Sequence, residues 1–252
     1  MTAPLFSDGC CIQSAEEQDS TTMPSGTRLR LAVFDCDGTL VDSQHAIVTC
    51  MASAYAAEGL PAPTPEAVRR VIGLPLLECM ARLSPDHSEA CHARLTDAYK
   101  TAFFALRQRA DHHEPLFEGA LATLEHLEEA GFLLGIATGK ARRGLLAVLE
   151  RHGLGDRFVT LQTADIPPGK PHPAMLQRAI AEAGVRAEDA VMIGDTSFDI
   201  LMARNAGVRS VGVAWGYHPV EELLAAGADA IVTRFDELPG ILLSQDRSAA
   251  CA

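Results

Sequence analysis

From Pro115 onward the chain repeats one pattern: a short run of Val, Ile, Leu or Phe, a polar break, a helical stretch and a glycine. Apolar runs fall at 132–137, 158–162, 190–193, 210–214 and 230–232, and helical periodicity at 119–130, 142–152, 173–183, 198–206, 220–226 and 236–243. Runs that are apolar throughout fit strands buried on both faces. Strands joined through helices pair in parallel, because such a crossover needs a dozen or more residues. The spacing predicts an α/β chain with a Rossmann-like, doubly wound parallel sheet.

One further strand stands apart from this series. Residues 29–34 are apolar and break into Asp35, Cys36, Asp37, Gly38 and Thr39. Between this strand and the alternating part lie about seventy residues with no strand pattern. Ala46, Ile47, Cys50, Met51 and Ala54 recur at helical spacing up to Gly59, and Pro61, Pro63 and Pro65 then break the chain. Further helical faces run through Ala67, Val68, Val71 and Ile72, through 76–83 and through 89–109. This predicts a core of 28–44 and 114–243, interrupted by an inserted all-helical cap over 45–113. Residues 1–27, rich in Ser, Thr, Gln and acids, are expected to form a flexible tail, and 244–252 a short C-terminal one.

Composition narrows the function. With 48 % apolar residues the chain has material for a sizeable core, but no run is long enough to span a bilayer and no secretory leader is expected. The seven cysteines are scattered without a CxxC pair, which fits reduced thiols and a cytoplasmic protein. A net charge of −12 speaks against nucleic acid, so an anionic ligand needs lysine, backbone N–H groups or a cation gathered locally. The nucleotide-loop patterns GxGxxG and GxxxxGK[ST] and the serine-hydrolase pattern GxSxG are absent.

In a parallel sheet the carboxyl ends of the strands share one edge, where ligands bind. Polar residues collect at such ends: Asp35 and Asp37, Thr138 with Gly139, and Asp195, with Lys170 in a loop after another strand. Asp35 can attack phosphorus as a nucleophile, and Asp37 can move the proton of the leaving oxygen. The bland alternative is an acidic turn. Asp195 completes an oxygen site suited to Mg²⁺, and Asp199 either holds a metal-bound water or only favours a first helical turn. Thr138 and the Gly139 N–H read as a phosphate cradle or a plain N-cap. Lys170, stiffened by Pro171 and Pro173, reads as a phosphoryl-neutralising ammonium or a solvated loop lysine. His112 and His113 are expected to be solvated, as are Arg69 and Arg70 on a helix face. His172 is expected to shape its loop and Cys36 to pack away from the acids.

DCDGTLVDS, ATGK, GKPHP and GDTSFD, in that order, resemble the four motifs of the haloacid dehalogenase superfamily. The chain is similar to its phosphoglycolate-phosphatase-like branch with a helical cap. The resemblance implies Asp35 as nucleophile, Asp37 as general acid and base, and Thr138 and Lys170 on the phosphoryl group. It also implies Mg²⁺ held by Asp35, the backbone carbonyl of Asp37 and Asp195, with Asp199 supporting the metal shell. Dehalogenases lack the second acid, because halide leaves without a proton. Phosphosugar mutases keep it but need basic cap residues, and the loop from Val71 to Leu76 has no Lys or Arg. The expectation is an Mg²⁺-dependent phosphatase acting on a small phosphorylated metabolite such as 2-phosphoglycolate. The alternatives are a phosphosugar mutase and a non-catalytic, phosphate-responsive binding module. No nucleic-acid or membrane partner is expected, and the oligomeric state, monomer or dimer, stays open. Two departures stand out: Gly139 where the family often has Asn, and Glu118-Gly119 where it usually has Pro-Gly.

Overall fold

The computed structural model describes residues 29–109 and 111–244. Strand β1 (Arg30–Phe34) leads into helices α1 (Gln44–Ala57), α2 (Pro65–Arg69), α3 (Leu76–Leu83) and α4 (Glu89–Arg107). The alternating part follows as α5 (Ala120–Glu129), β2 (Phe132–Ala137), α6 (Arg142–Arg151), β3 (Phe158–Gln162), α7 (Ala174–Ala183) and β4 (Ala190–Gly194). It closes with α8 (Ser197–Ala206), β5 (Arg209–Val213), α9 (Val220–Ala226), β6 (Ala230–Val232) and α10 (Leu238–Ser244). The six strands form one parallel sheet in the order β3-β2-β1-β4-β5-β6. This is a Rossmann-like, doubly wound core with an all-helical insertion after its first strand.

Strand alternation explains the two layers. Ala32 and Phe34 of β1 join Leu134, Ile136, Val191 and Ile193 in a core shared with α5, α6 and α10. Leu31 and Val33, one residue out of step, face Met175, Leu176, Met192 and Met202 toward α7 and α8. Successive side chains of a strand point to opposite faces, so an uninterrupted apolar run feeds both layers.

The inserted helices have an apolar core of their own, in which Ile47, Met51, Val68, Met80, Leu95 and Phe103 are buried together. Its two ends meet. Asp42 N–H donates to Pro115 O (2.8 Å), Phe117 N–H donates to Leu40 O (3.0 Å), and Val41 and Leu116 form an antiparallel bridge. The insertion touches the sheet layer through Val71, Leu74 and Cys79, which pack on Phe198 of α8.

Element bounds shift by a residue or two from expectation. α4 ends at Arg107, and a 3-10 turn at Phe235–Glu237 precedes α10, whose last residue Ser244 belongs to a helix rather than to the expected tail. The expected tails at 1–27 and from 245 on, with Cys10, Cys11 and Cys251, lie outside the described residues.

Candidate active site

The chain crosses from one side of β1 to the other, β2 on one flank and β4 on the next, and a crevice at such a switch point is where open α/β sheets bind ligands. Asp35 follows β1, Asp195 follows β4 and Thr138 follows β2. The turn after β1 needs glycine at 38: its φ is +85°, and a side chain there would run into the Asp195 carboxylate and the Tyr217 ring. Asp195 is held by Thr39, whose hydroxyl donates to Oδ1 (2.8 Å), and by the Tyr217 N–H, which donates to Oδ2 (2.9 Å). The Trp215 indole N–H in turn donates to the Thr39 carbonyl (3.1 Å).

Asp35 Oδ1 accepts from the Cys36 N–H at 2.6 Å, and Oδ2 is buried with no hydrogen-bond partner. Lys170 Nζ stands 2.9 Å from Asp35 Oδ1 and 2.6 Å from Asp199 Oδ1. These are charge contacts without hydrogen-bond alignment, since Lys170 Nζ and Asp199 Oδ1 also lack aligned partners. Asp199 Oδ2 accepts from the Thr196 N–H (3.1 Å) and hydroxyl (2.7 Å), which makes it half of a capping box at the start of α8. The helix-start reading of Asp199 therefore describes one of its oxygens and the lysine contact the other.

Asp35, Asp195 and Asp199 are all buried, each offering an oxygen within 4.8 Å of the others. One ammonium does not balance three carboxylates. Burial pushes the Asp35 carboxyl up to about 7, with Lys170 pulling against it and the Asp199 charge adding to it. Burial, then the charges of Asp35 and Asp199, holds Asp195 well above the carboxylate range, against the Tyr217 and Thr39 hydrogen bonds. For Lys170 burial lowers the ammonium, but Asp199 and Asp35 outweigh it and raise it above the usual lysine range. A cluster of hard oxygens short of positive charge, with a bare Asp35 Oδ2, fits a divalent cation such as Mg²⁺.

The Asp37 carboxylate has partners of its own. Its Oδ1 accepts from the Ser43 hydroxyl (2.6 Å) and from Lys140 Nζ (2.6 Å), and Lys140 also pairs with Glu114 (3.3 Å). For Lys140 burial opposes charge, and Asp37 and Glu114 carry it above the usual lysine range. Sequence reasoning missed Lys140, Glu114, Ser43 and Tyr217. Lys140 was visible only as the end of ATGK, where a lone lysine reads as solvated.

His112, expected to be solvated, is buried and bonds Glu114 through Nε2 (3.1 Å), packed edge-on to Phe103. His113 is exposed, as expected. Nor are Arg69 and Arg70 merely solvated: Arg69 bonds Glu66 (2.5 Å) and Gln44 (3.4 Å), and Arg70 pairs with Glu222 across the insertion and the core. The His172 ring accepts from the Ala174 N–H (3.2 Å), shaping its loop, and Cys36 is buried in the sheet core. Thr138 is buried, and its hydroxyl accepts from the Lys140 N–H (3.2 Å). Gly139 lies under the insertion: a Cβ there would meet the Gly73 carbonyl oxygen at 2.6 Å and that of Leu74 at 2.9 Å. The asparagine common at this place in the resembled family has no room here.

A doubly wound core with a helical insertion, carrying clustered carboxylates and a buried lysine at its carboxyl edge, defines a hydrolase of the phosphatase class. A family model for haloacid dehalogenase-like hydrolase matches residues 32–213, and the chain belongs to that family. It is 35 % identical over 215 residues to "Probable phosphatase IndB" of Dickeya dadantii, covering 83 % of this chain and 92 % of the relative. It is 32 % identical over 219 residues to a phosphoglycolate phosphatase of Vibrio parahaemolyticus, covering 83 % and 94 %. A solved hydrolase structure from Pseudomonas syringae superposes with a TM-score of 0.75 at 26 % identity, covering 84 % of this chain and 97 % of that one.

Proposed function

We propose that the chain hydrolyses small phosphomonoesters in the cytoplasm through a phospho-Asp35 intermediate, with Mg²⁺ as cofactor and 2-phosphoglycolate among the candidate substrates. The observation that carries the reading is the bare, buried Asp35 Oδ2, set beside a lysine that has donors to spare and two further buried carboxylates. Asp35, Asp195 and the backbone of Asp37 would hold the ion, and Asp199 would support the metal shell. When bound, Mg²⁺ supplies charge that offsets the repulsion between a carboxylate nucleophile and phosphate oxygens.

In this mechanism Asp35 attacks phosphorus while Lys170 and the Thr138–Gly139 turn receive the phosphoryl oxygens. Asp37 gives a proton to the departing alkoxide and then takes one from water, which cleaves the acyl phosphate and restores Asp35. Lys140 and Ser43 fix the Asp37 carboxylate in one orientation. The insertion over 45–113 acts as the cap that covers this site. Similarity to a phosphoglycolate phosphatase supports the substrate class.

The test is phosphate release from a panel of metabolite monoesters with and without Mg²⁺, using wild type and Asp35→Asn. Release by the wild type and none by Asp35→Asn is expected. Undiminished turnover by Asp35→Asn overturns the mechanism. A rearranged product that keeps its phosphate, with no free phosphate, points to a mutase instead.

A further inference from the structure

A cavity of about 560 Å³ lies between the insertion and the core, and Asp37, Gly139 and Lys140 of the core line it. Its walls are mostly apolar, with Ile47, Met51, Val68, Val71 and Phe103 among them. This volume falls in the roughly 300–1,000 Å³ range of ligand pockets and exceeds what a two-carbon acid fills. Two polar groups in this apolar wall have no partner. The hydroxyl of Thr96, a residue 8 % exposed, makes no hydrogen bond, although a helical threonine ordinarily bonds the carbonyl one turn back. Arg107 Nε is likewise buried and unbonded, and the guanidinium has no carboxylate partner among the described residues. Buried groups of this kind cost stability when left bare, so their common placement points to a ligand.

The charge balance has one sign. Asp37 is already tied to Lys140 and Ser43, and Asp165 to the Arg142 N–H and Thr163, whereas Arg107 has no carboxylate partner; of the exposed cations that also line the cavity, Lys100 pairs with Asp97 (3.4 Å) and Arg143 sits over the Phe104 ring. In a chain of net charge −12 this is a local cationic site. Arg107 sits over the Phe103 ring at 4.5 Å, and Lys140 Nζ, which bonds Asp37, stands 5.3 Å from the same ring. The guanidinium is thus one aromatic ring away from the lysine that holds Asp37.

We infer that this cavity is a leaving-group site for phosphomonoesters whose alcohol has an aromatic or branched apolar body ending in an anion. Arg107 grips the anion through its paired N–H groups, Thr96 adds a hydrogen bond, and Phe103 with its aliphatic neighbours covers the body. The inference rests on the phosphatase reading above and sharpens its substrate: the alcohol is larger and more apolar than glycolate.

The experiment compares 4-carboxyphenyl phosphate with phenyl phosphate, which lacks only the carboxylate, and with 2-phosphoglycolate, all with Mg²⁺. Wild type is expected to favour the carboxylated aryl ester over phenyl phosphate by about tenfold or more in kcat/KM, with a KM below that for 2-phosphoglycolate. In Arg107→Gln the ratio of the two aryl esters should fall to near one. Arg107→Lys should keep part of it, and Thr96→Val, which preserves side-chain shape, should lower it severalfold. A wild-type ratio of one, or a ratio that Arg107→Gln and Thr96→Val leave unchanged, overturns the anion subsite. A KM for the aryl ester no lower than for 2-phosphoglycolate overturns its apolar part. Failure to release phosphate from any of the three esters would instead sink the phosphatase reading itself.

Discussion

Lys140 holds two carboxylates at once, Asp37 and Glu114, where water has almost no access. Lys140→Met should therefore leave Glu114 charged and poorly partnered, at a cost of about 3 kcal/mol in stability by denaturant unfolding. It should also slow turnover about 10- to 100-fold, because Asp37 loses the cation that orients it. Asp35 makes a second prediction. Its carboxyl sits at about 7 in the fold against 3.8 when free, so the stability it contributes is complete below 3.8 and is lost as pH rises through about 7. Without divalent cation, Asp35→Asn should melt above wild type at pH 8, and the gap should narrow as pH falls from about 7 and close only near 3.8; a gap that widens toward acid contradicts the burial of that charge. The meeting of Asp35, Asp195 and Lys170 was legible in sequence because each stands at a strand end or loop beside motif residues. Lys140, Glu114 and His112 were not, because their roles come from being buried together, and no spacing records that.

The first turn of α8 joins two jobs in one capping box. Thr196 and Asp199 bond each other's groups at the helix start, while the other Asp199 oxygen meets Lys170. Thr196→Ala should cost about 1 kcal/mol of stability, the usual value of an N-cap. It should also raise KM more than Thr64→Ala, which removes the hydroxyl cap of α2 in the insertion. Equal effects on KM would separate the cap from the site. Helices and strands were readable because Gly184, Gly207 and Gly227 end helices whose apolar faces repeat cleanly. The bounds that moved, such as the end of α4, lie where polar residues continue the helical composition. The contact of the Gly73 loop with Gly139 left no such signal; it is a backbone approach between segments far apart in sequence. Gly139→Asn should push that loop away and raise KM about tenfold with a smaller change in kcat, measurable in the phosphate-release assay.

Six parallel strands bring Asp35, Asp195 and Asp199 to one edge, and the whole molecule should feel a cation placed among them. Mg²⁺ at about a hundred times its Kd should stabilise the fold by about 2.7 kcal/mol, and EDTA should reverse the rise in melting temperature. Asp195→Asn should remove the response, and in wild type it should fade below pH 7 as protons compete for the raised carboxyls. The parallel sheet was legible in apolar runs that alternate with helices, whereas the cavity behind Phe103 depends on how two apolar layers face each other. The insertion leaves the core at Leu40–Asp42 and returns at Pro115–Phe117, and these two passes are bonded side by side. A segment whose ends are fastened together adds little closure entropy to the fold that carries it, since that cost grows only with the logarithm of its length. Such a segment can lengthen, shorten or be exchanged between relatives as a cassette. The strand ends beneath, with Asp35, Asp195 and Asp199 among them, then keep their register.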